Sequence, residues 1–94
     1  MSGYELETAL KLLKARLNRL EGDTSLDETL TKRLEETTEE LEHIGITLDS
    51  STRDMMLVVD YACWKYQNRD KGTQMPEWLK RERFERWLES GAAG

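Results

Sequence analysis

The sequence predicts an all-α domain, a small bundle of about four helices with a buried central third helix. Three observations carry that expectation. Leucines recur at helical spacings of three and four residues. Stop, turn and N-cap clusters divide the 94 residues into four segments. The third of those segments is apolar nearly all round, the pattern of a helix enclosed by its neighbours.

The first helix is expected from about Tyr4 to Glu21. Leu6, Leu10, Leu13, Leu17 and Leu20 form its seam, while Lys11, Lys14, Arg16 and Arg19 decorate its other faces. Gly22-Asp23-Thr24-Ser25 supplies a stop, a turn and a fresh N-cap. The second helix starts after Ser25, with Asp27 and Glu28 well placed against the helix dipole. Its stripe is Leu26, Leu30, Leu34, Leu41 and Ile44, interrupted by Thr37, and Gly45 is the expected C′ residue.

Asp49-Ser50-Ser51-Thr52 signals the third helix, whose core reads Met55 to Tyr66. Asp60 is the polar exception there, and Lys65 is expected to keep its charge at the surface. Val58 and Val59 lean towards strand, but the length and the absence of period-two alternation favour helix. Gln67 to Gln74 is polar and contains Gly72, hence a loop. Met75-Pro76-Glu77 opens the fourth helix, since a proline at the first helical position loses no needed hydrogen bond. Trp78, Leu79, Phe84, Trp87 and Leu88 line that helix, with Lys80, Arg81, Arg83 and Arg86 between them. A single domain over 1–94 is expected, ordered from about residue 4 to 90, with a disordered tail at 91–94.

A hydrophobic fraction of 37% against a charged fraction of 35% suits thin amphipathic helices better than a deep core. Part of the stability is then expected from a partner or from self-association. The net charge of −5 is uneven. Residues 1–50 hold 6 Lys/Arg against 12 Asp/Glu, and residues 51–94 hold 8 against 7. An acidic front half opposes tight binding to bare duplex DNA, which needs clustered cations. The single cysteine excludes an internal disulfide. No stretch approaches the roughly 20 apolar residues of a membrane span. Met1-Ser2-Gly3-Tyr4-Glu5 lacks the basic start and apolar core of a signal peptide, so folding in a reducing cytoplasm is expected.

Few residues suggest chemistry. His43 has no second ligand at position 47, which is threonine, and a cation near a helix C-terminus is favoured by the dipole. Cys63, amid Tyr61, Ala62 and Trp64, reads as a core thiol without a histidine base. The run Glu35–Glu42 reads as a solvated helix face; a calcium loop would mix carboxylates with Gly and Asn in a turn. No phosphate loop, nucleophile elbow or metal motif is present. A protein that is not an enzyme and has no cofactor or metal is therefore expected. The fourth helix has three readings. Its aromatics pack on helix three while its arginines pair with Glu77, Glu82, Glu85 and Glu89; or it is a protein interface; or it contacts nucleic acid.

The second half also carries a resemblance. Asp54-Met55-Met56-Leu57-Val58-Val59-Asp60-Tyr61-Ala62 is followed by Trp64-Lys65-Tyr66-Gln67-Asn68-Arg69. A short polar loop then leads to Met75-Pro76-Glu77-Trp78-Leu79. This order resembles the small head–tail connector (adaptor, head-completion) proteins of tailed bacteriophages and prophages. The first half fits more loosely, through Leu26-Asp27-Glu28-Thr29-Leu30 and the Ile44-Gly45-Ile46 step. The likeness covers roughly residues 6–88 and is most specific over 54–79; the Trp- and Arg-rich last helix departs from it.

The resemblance implies a structural protein of the virion, located at the head–tail junction and assembled in the host cytoplasm. It implies a homo-oligomeric ring beneath the portal protein that extends the channel and docks the next connector or tail component. DNA would pass through without sequence-specific binding, and an acidic face lining the channel would let it slide. Trp78, Arg83 and Trp87 are the candidate interface residues. Two other readings compete: a generic helical adaptor, dimerising through the leucine seam of helix one, and a weak nucleic-acid-binding module using the Arg/Trp helix.

Overall fold

The structure, a computed structural model, describes residues 6–18, 22, 24–49, 51–68 and 74–91. Four helices follow one another: α1 (Leu6–Arg16), α2 (Asp27–His43), α3 (Thr52–Gln67) and α4 (Glu77–Glu89). No strand occurs among the described residues. The third helix is the hub. It packs against α1, α2 and α4, and α1 also packs on α2. Among the described residues α3 is the only helix on which α4 packs. That leaves α4 at the edge of the bundle.

The first helix is shorter than its leucine pattern predicts. It ends at Arg16, and Asn18 takes a left-handed conformation with φ of 59°. Asparagine tolerates that region better than most side chains, so the stop falls at Asn18, ahead of Gly22. Residues 19–21, the rest of the predicted helix, lie outside the described residues, as do Tyr4 and Glu5. Ala9 and Leu13 are fully buried, and Leu6, Leu10, Leu12 and Leu17 are packed against the core. From Leu6 to Leu17 the seam of α1 therefore packs towards the core, and Leu20 lies outside the described residues. Lys14, expected on an outer face, is buried and ion-paired to Asp27 at 2.9 Å. Its aliphatic stem covers apolar surface while its ammonium reaches the first turn of α2.

Leu26, not Ser25, occupies the N-cap of α2, and its side chain offers no capping hydrogen bond. Acidic Asp27 and Glu28 supply the favourable charge there. Thr37 does not break the apolar stripe. It is fully buried, and its hydroxyl donates to the Arg33 carbonyl at 2.7 Å, so the polar atom is satisfied within its own helix. The helix closes as expected on Gly45, with φ of 109°. Ile46 N–H donates to the Leu41 carbonyl and Gly45 N–H to the Glu42 carbonyl, each at 3.1 Å, a Schellman arrangement. Ile46 and Leu41 are both buried, which supplies its apolar clasp.

Ser51 caps α3, its hydroxyl accepting from Asp54 N–H at 3.2 Å. Leu57, Val58, Val59, Tyr61, Ala62 and Cys63 are buried together with Leu30, Leu34, Leu41 and Leu79 in one core. Asp60, the polar exception, is ion-paired with Arg16. Pro76 stands just before α4 as its N-cap, and its carbonyl accepts from Lys80 N–H at 3.0 Å. Gly91, the first residue of the expected tail, follows α4 in a left-handed turn with φ of 77°. Residues 92–94 of that tail, and 69–73 of the polar loop, lie outside the described residues.

Candidate functional site

What holds α4 in place defines what its other side is left to do. Leu79 is its one fully buried apolar side chain. The main anchor is polar. Asp54 of α3 is fully buried and receives Arg86 in a bidentate pair, Nε at 2.6 Å and Nη2 at 2.9 Å. The backbone N–H of Asp49 donates to the same carboxylate at 2.7 Å. Arg86 also donates to the Thr47 carbonyl and, at 2.6 Å, to the Ser90 hydroxyl, which itself accepts from Thr47 N–H at 3.0 Å. The guanidinium thus joins α4, α3 and the α2–α3 loop. Its hydrogen bonds to Asp54 raise it above its ordinary value.

A second network lies where α2, α3 and α4 meet. Tyr61 donates its hydroxyl to Glu40 and accepts from Arg83 Nη1 at 3.1 Å. Lys65 reaches both Glu40 and Glu36 at 2.9 Å. Lys65 and Arg83 each lie 5.7 Å from the centre of the Tyr61 ring, within cation–π range. Burial would raise the Glu40 carboxyl, but hydrogen bonds from Tyr61 and Lys65 outweigh it and hold Glu40 below its ordinary value. Burial, with the bond to Glu40, pushes the Tyr61 hydroxyl up. Lys65 keeps its charge, half-buried in pairs with the more exposed Glu36 and Glu40.

Arg83 and Arg86 are therefore not committed to the glutamates of their own helix. Arg86 pairs with Asp54 and Arg83 with Tyr61, while Glu89 is taken by Arg53 of α3. Glu77 lies 3.7 Å from Lys80. Sequence reasoning missed Asp54 and Arg86, since a bidentate pair 32 residues apart leaves no periodic signal.

The aromatics turn mostly outward. Phe84 is 56% exposed, Trp78 54%, Leu88 45% and Ile44, at the C-cap of α2, 41%. Trp87 is half-buried. Its indole N–H donates to the Ile44 carbonyl at 2.8 Å, and its ring stacks on Phe84 with centroids 5.8 Å apart. Ile44, Lys80, Arg83, Phe84 and Trp87 line a shallow open groove. Of the candidate interface residues, Arg83 and Trp87 come together at this groove. Trp78 does not: it stands nine residues from Trp87, about half a turn out of phase on the same helix.

The remaining candidates stay apart from this face. Glu35, Glu36, Glu39 and Glu42 border an open groove beside α2 with Lys32 and Thr38. His43 is exposed at the end of α2. Cys63 is a buried free thiol, and burial raises it above its ordinary value. Among the described residues no cluster of three or more metal-ligating side chains occurs. Among them, too, no helix is long and apolar enough to cross a membrane.

These features define a small four-helix bundle with exposed aromatic side chains on its last helix. Comparison with protein-family models, with curated proteins and with solved structures gave no match.

Proposed function

We propose that this chain is a non-catalytic interaction domain that works by assembly, in the structural role of a phage head–tail connector. The observation that carries the reading is the outer side of α4. Phe84 and Leu88, with Ile44 beside the groove, are large apolar groups left facing solvent, and Trp78 is exposed on another side of the helix. Contiguous exposed aromatic and aliphatic groups flanked by Lys and Arg mark protein interfaces. The connector role rests on the resemblance over residues 54–79. The buried third helix, the polar loop and the Met75-Pro76 step named in that resemblance lead directly into this face.

A nucleic-acid module draws less support. Arg86 is turned inward onto Asp54 and Arg83 is engaged with Tyr61, which withdraws two cations from phosphate contact.

The test is assembly on the portal protein of the same phage. Light scattering and negative-stain images of the chain mixed with portal should show a ring added below the portal, and Phe84→Glu should prevent its addition. Catalytic turnover, or no assembly with portal at any concentration, overturns the reading.

A further inference from the structure

We propose that the outer face of α4 seats a second copy of this chain in a two-fold dimer, α4 crossing its partner antiparallel near Phe84. Ile44, Trp78, Phe84 and Leu88 are the exposed large apolar side chains among the described residues, and all lie on α4 or beside its groove. Among the described residues, a copy of this chain covers the patch with large apolar groups by presenting the same patch, which makes the contact isologous. The position of α4 leaves room, since among the described residues α3 is the only helix that packs on it and Phe84 and Leu88 on its opposite side are exposed.

Charge selects the antiparallel direction. On α4, Lys80 stands by Glu77, Arg83 is bonded to Tyr61, Arg86 to Asp54 and Glu89 to Arg53, whereas Arg81 in the first half and Glu85 in the second are both exposed. An antiparallel crossing sets Arg81 against Glu85, and a parallel one sets like against like. Centring the crossing between Arg81 and Glu85 places Phe84 next to the two-fold axis. Arg81 then stands opposite Glu85 of the second copy, and Glu85 opposite Arg81. Both side chains are exposed and flank the apolar strip. The inference rests on the reading of α4 as a contact face, and is independent of the ring.

Sedimentation equilibrium of the full chain from micromolar to millimolar concentration tests it. The expected mass rises reversibly from one 11.0 kDa chain to two and levels there. Phe84→Glu should give a monomer with unchanged far-UV circular dichroism, because that ring is mostly exposed. Arg81→Glu and Glu85→Arg should each weaken the dimer about tenfold, and the double variant should restore it. A wild-type monomer throughout, a Phe84→Glu chain that dimerises normally, or a double variant no tighter than the singles overturns the proposal. A monomer that still docks on a portal refutes the dimer and leaves the connector reading standing. A dimer that never assembles with a portal does the reverse.

Discussion

Replacing Asp54 with asparagine tests whether α4 is held by a buried ion pair. The carboxylate is fully buried and accepts three hydrogen bonds, two from Arg86 and one from the Asp49 amide. Asparagine keeps the shape but presents an NH2 group where an acceptor is needed, setting donor against donor. It also leaves the Arg86 side chain, only 11% exposed, without a counter-charge. Removing one partner of such a pair costs about 3–5 kcal/mol. A chain of this length has about 5–14 kcal/mol in total. The lower estimate of the loss corresponds to a fall in Tm of about 12–24 °C. Urea titration at neutral pH measures the loss directly, provided the slope against denaturant is unchanged.

The pair should also show strong coupling. Asp54→Leu with Arg86→Met removes both charges and should cost only about 1–3 kcal/mol, chiefly from the unmet Asp49 N–H and Thr47 carbonyl. The double variant should then be less damaged than the sum of the singles by about 2 kcal/mol or more. High salt should leave the effect largely intact, because a buried pair is poorly screened. An Asp54→Asn chain within about 1 kcal/mol of wild type would refute the buried anchor.

Glu36 and Glu40 both sit below their ordinary 4.5 in the folded chain, Glu36 through its hydrogen bond from Lys65 and Glu40, against its burial, through those from Tyr61 and Lys65. Their contribution is complete above 4.5 and lost as pH falls through the lower folded values, so Lys65→Met should flatten the acid limb of stability against pH. Gly45→Ala should cost about 1–2 kcal/mol in chemical denaturation, because a Cβ is strained at a φ of 109° and Gly45 N–H closes the end of α2. The Cys63 thiol, raised by burial, should react slowly with an aromatic disulfide reagent in the native chain and rapidly in denaturant; equal rates would place it at the surface.

Much of the frame was legible because local signals carry it. Gly45 as C′ residue, the start of α3 at the Asp49–Thr52 cluster, capped by Ser51, and the proline before α4 are each decided within a few residues of chain. Their physics is that of helix ends, where orphan N–H and C=O groups must be satisfied nearby. The buried third helix was legible for a different reason, since apolar residues all round a helix require neighbours on every side. Legibility failed at the end of α1, where Asn18 rather than Gly22 takes the left-handed turn. It failed again at Thr37, because a hydroxyl bonded to its own helix counts as polar in a pattern and behaves as filler in a core.

Four helices, their approximate limits, the enclosed one among them and the surplus of aromatics on the last thus follow from residue order alone. Which charged residues are buried together follows only from the fold. Lys14 with Asp27, Arg16 with Asp60 and above all Asp54 with Arg86 are pairings between helices, made by residues far apart along the chain. Periodicity cannot reveal them, because a charged side chain reads as a surface residue until a partner of opposite sign is folded against it. The outward side of α4 is likewise a product of packing. Once Leu79 and Arg86 are turned onto α3, helical geometry leaves Phe84 and Leu88 on the open side, whatever their hydrophobicity.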